Sequence, residues 1–358
     1  MSRIQAISEI VRNNGADAAL LTGEVDLIYV TGETALEGQC IIFADDTAVF
    51  ITDGRYTEVA RAQLCPKGFS VTERSTVIPA MSVVQNVLTE REVNKLLYED
   101  NVLTVQQFAR MREQLRCELL PLGGQITALR ACKSAEEVAC IVRAQRIAEA
   151  ALEKLYAQLH EGMTEREAAA LLNYEMALLG SEKPSFDTIL LFGENTSKPH
   201  GVPSDRALRA GDFVLADFGA VCCGYHSDMT RTAAWGFATD EMQQVYETVL
   251  AAQSAAEKVA AEGVPCCEMH KAAAAVIEAA GFGEYFTHAL GHSVGLEIHE
   301  SPVAALRCEE PLRNGVVMTD EPGIYIAGKF GVRIEDMLLI DGETPQNLTK
   351  APKALRVL

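Results

Sequence analysis

From Ser134 onward one order of elements occurs twice, and this repeat limits what the chain can fold into more than any other feature. "SAEE" is a capping box, Ser134 as N-cap with Glu137 three residues on, and it opens a helix predicted to run to about His160. "TERE" repeats the device at Thr164 and Glu167, for a helix ending near Gly180. Strand-like segments follow at 186–193, 212–221 and 225–235. Two alanine-rich helices, about 240–262 and 267–280, then precede strands near 294–299, 316–320 and 332–340. Helix-helix-strands twice over predicts two structurally related halves around one mixed sheet.

The preceding residues form a different pattern. Ile4, Ile7, Ile10 and Val11 recur at helical spacing within 2–14. "CIIFADDTAVFITDG" reads as two strands joined by a turn at Asp45-Asp46, with a helix from about Tyr56. A further helix at 104–116 leads to the turn-rich "PLGG" at 121–124. A chain of 358 residues is long for one core, so two domains are expected. They are placed at 1–127, a small α/β domain, and 133–358, the duplicated one, giving an α/β (α+β) protein.

Composition excludes several classes of function. A net charge of −19 disfavours nucleic acid and anionic membrane surfaces, which require clustered Lys and Arg. No apolar run is long enough to cross a bilayer, and "MSRIQAISEI" has no apolar core of a signal peptide. The ten cysteines are scattered, apart from the adjacent pairs Cys222-Cys223 and Cys266-Cys267. Without a CxxC repeat they read as free thiols in a reducing compartment, which points to the cytosol.

Acidic residues stand where a core strand should carry apolar ones. "VLADFGA" and "GYHSDMTRT" read as arms of a hairpin turning at Cys222-Cys223, which sets Asp217 and Asp228 directly opposite each other. Two buried like charges at that separation repel and lose hydration. A shared proton, a cation between them, or an arrangement that leaves both solvated would each relieve the conflict.

The second half decides among these. "HALGHSVGLEIHE" offers His288, His292 and His299; Gly291 and Gly295 argue against a helical zinc motif there. "VVMTDEPGIY" is an apolar strand ending in Glu321 before a Pro-Gly turn. In "GVRIEDMLLI", Arg333 and Glu335 alternate with Val332 and Ile334 and so share a face. Four carboxylates and one imidazole make an oxygen-rich set suited to Mn²⁺, Co²⁺ or Fe²⁺ rather than to a structural zinc. Four negative charges exceed what one divalent ion neutralises, so two ions are expected, the arrangement of a hydrolytic dinuclear centre.

The ordered set "DFG…SDMTRT…GHSVG…HE…DEPGIY…RIED" resembles the pita-bread metallopeptidases, the superfamily of methionine aminopeptidase, aminopeptidase P, prolidase and creatinase. The resemblance runs through most of 134–345 and implies that Asp217, Asp228, His292, Glu321 and Glu335 are metal ligands. It makes Asp228 and Glu335 the bridging pair, Asp217 the holder of one ion, and His292 and Glu321 the holders of the other. Glu321 would also serve as general base. "FGENTSKPHG" looks like the loop carrying a substrate-side histidine, His200, and His299 matches the second; both would hydrogen-bond the scissile carbonyl. Arg333 is similar to the arginine that orients the bridging carboxylates. His226 and His288 stay outside the ligand set. The implied cofactor is two divalent ions per chain, Mn²⁺ first, with Co²⁺, Fe²⁺ or Zn²⁺ as alternatives. The pita-bread fold is itself a pseudo-two-fold duplication.

The extra N-terminal domain, creatinase-like with "DLIYVTG" and "TDGRY", points to the Xaa-Pro peptidase branch. Asp26 and Asp320 depart from the usual pattern, where relatives often have Asn and an apolar residue, and are expected close to pocket walls. The leading expectation is a Xaa-Pro aminopeptidase acting on peptides with proline second; the alternative is a Xaa-Pro dipeptidase (prolidase). A non-catalytic pita-bread binding protein would be expected to lack ligands. A mononuclear oxygenase would need His288 as a second ligand. The resemblance also implies a homodimer.

Overall fold

The computed structural model describes residues 2–75 and 77–358, and the chain divides into two compact units, Met1–Arg130 and Ala131–Leu358.

The first unit holds α1 (Arg3–Asn13), β1 (Ala18–Leu21), α2 (Glu24–Thr31), β2 (Gln39–Phe43), β3 (Ala48–Asp53), α3 (Thr57–Leu64), β4 (Phe69–Arg74), α4 (Ala80–Glu90), β5 (Lys95–Tyr98), α5 (Val105–Gln114) and β6 (Glu118–Pro121). Its strands form one mixed sheet in the order β4-β3-β2-β1-β5-β6. The β2–β3 turn bends at Asp46, which has a positive φ of 64°. A short helix, α6 (Gln125–Ala131), follows the "PLGG" turn that sequence reasoning took as the last feature of this region. Asp26 is buried here with its carboxylate 2.8 Å from Arg130, and it is not among the residues that line the cavity described below.

The second unit opens with α7 (Ala135–Tyr156) and α8 (Glu165–Leu178), and both capping boxes are formed as the sequence predicts. Then come β7 (Ile189–Phe192), β8 (Phe213–Phe218), β9 (Val221–Cys222), β10 (Tyr225–His226) and β11 (Met229–Ala234). The second half repeats the order with α9 (Asp240–Val259), α10 (Cys266–Ala279), β12 (Gly291–Ser293), β13 (Glu300–Ala304), β14 (Val317–Asp320), β15 (Gly323–Ile326), β16 (Phe330–Arg333), β17 (Asp336–Leu339) and β18 (Gln346–Asn347).

Each helix pair packs on the strands that follow it. Ala144, Ala148 and Ala151 of α7 and Leu172 and Met176 of α8 bury against Leu190, Val214, Ala216 and Phe218. Val249, Ala252 and Ala256 of α9 and Ala273 and Ile277 of α10 bury against Met318, Ile324, Val332 and Leu338. Alanine rows let these helices sit close to the sheets without leaving voids.

The strands do not form the single mixed sheet expected. They make ladders β11-β8-β7 and β13-β12-β14-β17-β18 and two short hairpins, β9-β10 and β15-β16, all antiparallel. The expected strand at 294–299 is a bent loop between β12 and β13. The expected strand at 332–340 is broken at Ile334-Glu335, because Arg333 belongs to a hairpin with β15 while Asp336 pairs with Asp320 of β14.

Candidate metal centre

Strand alternation puts Asp217 where it is. Val214, Ala216 and Phe218 of β8 face the α7–α8 core, so Asp217 faces the other side, into a cavity of about 720 Å³. Its cross-strand partner is Thr230, not Asp228. The expected register is two residues off because the hairpin turns at Cys223-Gly224, whose φ values of 54° and 76° are both left-handed. A two-residue turn of this kind takes glycine readily at its second centre, and Cys222-Cys223 offers none. Asp228 falls in the break between β10 and β11 and reaches the cavity from there.

Three groups converge. Ligand atoms of Asp228, His292 and Glu335 lie within 4.8 Å of one another, the one such trio among the described residues. His292 Nε2 is 3.5 Å from Asp228 Oδ2 and 3.4 Å from Glu321 Oε1. His292 Nδ1 donates to the Ser293 carbonyl at 3.1 Å, which leaves the Nε2 lone pair facing the carboxylates. Burial, then the neighbouring His299, lowers the imidazole to about 4, so it is neutral.

The carboxylates respond in the opposite direction. Burial, then Asp217 and Glu321, pushes Asp228 far above the usual carboxylate range. Burial, then Asp228, Glu321 and Asp217, does the same to Glu335. Glu321 is pushed up to about 7 by burial, with Asp217 adding to the effect. Asp228 Oδ1 and Glu335 Oε1 are buried without a hydrogen-bond donor. Orphaned carboxylate oxygens beside a neutral imidazole fit a divalent cation of the Mn²⁺ or Co²⁺ type, which takes oxygen and nitrogen donors.

Asp217 is not part of the trio; its Oδ2 accepts from Arg333 Nη2. Arg333 also donates Nε to the Thr230 hydroxyl at 3.0 Å and Nη1 to the Tyr325 hydroxyl at 2.6 Å. Thr230 in turn donates to Glu335 Oε2 at 2.7 Å. Thr319 accepts from the His292 backbone N–H at 3.0 Å and donates to Glu321 Oε1 at 3.0 Å. Sequence reasoning missed Thr230, Thr319 and Tyr325, although "SDMTRT" and "VVMTDE" set the two threonines two residues from Asp228 and Glu321.

His200 and His299 both line the cavity and are exposed, with the His299 ring edge-on to His292 at 4.3 Å between centroids. His288 also lines it, accepting at Nε2 from Tyr325 at 3.0 Å while Nδ1 donates to the Ala289 carbonyl. His226 lies outside the lining and bonds Ser185 at 2.8 Å. Asp320, expected near the pocket wall, points away from it: its side chain is fully buried opposite Asp336. The remaining walls include Phe186, Ile189, Val202, Ile298 and Val303.

Residues 139–342 match metallopeptidase family M24, and residues 3–132 match the creatinase/prolidase N-terminal domain. The chain is 33% identical to a Xaa-Pro dipeptidase of Pyrococcus horikoshii over 99% of its length and 98% of the relative's. A solved Xaa-Pro dipeptidase from Bacillus anthracis superposes with a TM-score of 0.94 at 35% identity, covering 99% of both chains. An X-Pro aminopeptidase from Thermotoga maritima gives 0.93 at 33% identity, covering 98% of this chain and all of the other.

Proposed function

The chain belongs to metallopeptidase family M24, and from that premise we propose that it hydrolyses the peptide bond before proline, with the Xaa-Pro dipeptide as substrate. The observation that carries the metal-dependent chemistry is the buried meeting of Asp228, Glu335 and Glu321 around His292 Nε2, with two carboxylate oxygens left without donors. The dipeptide rests on relatives of full length that bear the name Xaa-Pro dipeptidase, and it displaces the aminopeptidase as leading reading.

Asp217, Asp228, His292, Glu321 and Glu335 would hold two divalent ions, Mn²⁺ first, which when bound polarise the scissile carbonyl and generate a nucleophile at neutral pH. Arg333 pins Asp217 and, through Thr230, the Glu335 carboxylate, so two ligands are oriented before substrate arrives. Glu321, with its Oε1 3.4 Å from His292 Nε2, would take the proton released on attack. His200 and His299 face the cavity from loops and would donate hydrogen bonds to the carbonyl oxygen as negative charge builds on it. The apolar walls Phe186, Ile298 and Val303 would receive the proline ring, which offers no N–H to satisfy.

One observation favours the aminopeptidase as a second reading. Among the described residues lining the cavity, the one Lys or Arg is Arg333, already engaged by Asp217 and Tyr325. The free carboxylate of a dipeptide would need a cation that a longer peptide does not. Hydrolysis of Met-Pro and Met-Pro-Ala by metal-stripped protein reloaded with Mn²⁺ separates the two, with Glu321→Ala as control and metal content measured in parallel. Cleavage of Met-Pro supports the dipeptidase. Cleavage of Met-Pro-Ala alone replaces it with the aminopeptidase. Cleavage of neither by metal-loaded protein rejects the proline specificity.

A further inference from the structure

Nothing fixes the His200 ring directly. Among the described residues its imidazole makes no hydrogen bond, and it stands exposed at the cavity wall. Its place is therefore set by the backbone of its loop, and one carboxylate holds that loop. Glu165 opens α8 and is fully buried. Thr164 and Glu167 cap this helix, so the Glu165 side chain is left for another task. Its Oε1 accepts from the Phe192 backbone N–H at 2.8 Å and from Asn195 Nδ2 at 3.0 Å. Its Oε2 accepts from the Ser204 backbone N–H at 2.8 Å and from the Ser204 hydroxyl. The two oxygens take opposite ends of one segment, 192–204, and their four donors fill the acceptor positions that a carboxylate offers. The Glu165 backbone N–H also donates to the Arg206 carbonyl at 3.0 Å.

Between these grips Pro199, His200, Gly201, Val202 and Pro203 face the cavity. The start of the loop also docks on β16, the strand that ends in Arg333: the Thr196 hydroxyl accepts from the Gly331 N–H at 2.8 Å and donates to the Gly193 carbonyl at 2.7 Å. Resting on the peptidase reading above, we propose that Glu165 is a positioning residue for hydrolysis. By gripping both ends of 192–204 it sets where His200 stands against the scissile carbonyl. Glu165 is not part of the cavity lining, so its effect runs through the loop that carries His200. Misplacing a group that meets developing charge by about 1 Å costs about 100-fold in rate. Loosening the grip should therefore act on turnover and leave metal binding alone.

The test uses the full-length protein reloaded with Mn²⁺, Met-Pro and Met-Pro-Ala as substrates, and metal content measured for every variant. Glu165→Gln turns one acceptor oxygen into an NH₂ that faces donors, and it is expected to lower kcat about 10–100-fold with KM and metal content unchanged. Ser204→Ala removes one hydroxyl and keeps Glu165; it is expected to lower kcat about threefold or more, and it carries the test if Glu165→Gln does not fold. In a His200→Ala background either change is expected to cost about twofold or less, because the residue they act through is gone. Losses that multiply with that of His200→Ala overturn the proposal, and so does metal lost together with kcat. Amide exchange gives a readout that needs no turnover. Either variant is expected to speed exchange within 193–204 about tenfold or more while β12 and β14 keep their wild-type rates. Should wild type cleave neither peptide, the peptidase reading falls and exchange alone judges the grip: faster exchange confined to 193–204 upholds it, and unchanged exchange rejects it.

Discussion

Thr230 touches two charged groups of the candidate site and carries no charge itself. Its hydroxyl accepts from Arg333 and donates to Glu335, so replacing it removes a donor and an acceptor while leaving every proposed ligand in place. Thr230→Val keeps the shape and is expected to weaken metal affinity or activity about 10–100-fold, read by metal titration and steady-state kinetics. Glu321 gives a pH signature. Its folded value of about 7 lies above the ordinary 4.5, so without metal its ionisation disfavours the fold as pH rises through that interval. Metal-stripped Glu321→Gln should therefore be more stable than metal-stripped wild type at and above pH 7. The advantage should shrink on acidification and vanish below about 4.5, as followed by denaturant melts in chelator. An advantage that does not change with pH would show that Glu321 is not the group responsible. At this scale the sequence is unevenly legible. Carboxylates in apolar strands announce themselves because burying them is costly, and all five sequence-derived ligand candidates line one cavity. Thr230 and Tyr325 do not, since a hydroxyl in a strand is unremarkable until its tertiary partner is known.

Helix starts and strand ladders were not equally readable as elements. The capping boxes at Ser134 and Thr164 are local chemistry, so four residues suffice to find them. The β8–β11 register is not local. It depends on which two residues adopt left-handed backbone, and that choice displaced Asp228 from the expected position beside Asp217 to the break after β10. In "GVRIEDMLLI" the alternation lapses at the adjacent acidic residues Glu335-Asp336, a local sign of the break that does not tell that the two ends join different ladders. Gly219 makes this geometry possible: a Cβ there would lie 1.8 Å from the Ser227 carbonyl oxygen. Gly219→Ala must push the two arms apart, and it is expected to cost about 1–3 kcal/mol or more in a denaturant melt. The same shift moves Ser227 and the adjacent Asp228, so metal affinity should fall with it. A stable variant with unchanged metal binding would mean that the arms do not need this close approach.

For the molecule as a whole, all the candidate ligands lie in the unit Ala131–Leu358, so metal should stabilise that unit by mass action. Adding Mn²⁺ to stripped protein is expected to slow amide exchange in β8, β11, β12, β14 and β16, read by hydrogen-exchange mass spectrometry. Protection confined to residues 3–130 would contradict the placement. The same unit depends on a buried ion pair near its start. Lys133 Nζ meets Glu300 Oε2 at 2.9 Å with both side chains almost wholly buried, and Glu300 follows directly after His299. Lys133→Met breaks this buried pair and is expected to cost about 3–5 kcal/mol in a denaturant melt. Among the described residues no helix is long and apolar enough to cross a membrane. The site is shared between the two repeated halves, with Asp217 and Asp228 from the first and His292, Glu321 and Glu335 from the second. On the ribosome the first arm emerges long before the residues that complete the centre. A nascent chain therefore carries two acidic residues with nowhere dry to go, and it must keep that hairpin wet or protonated until the second half arrives. The candidate centre thus cannot be completed until Glu335, the last of its residues, has been made.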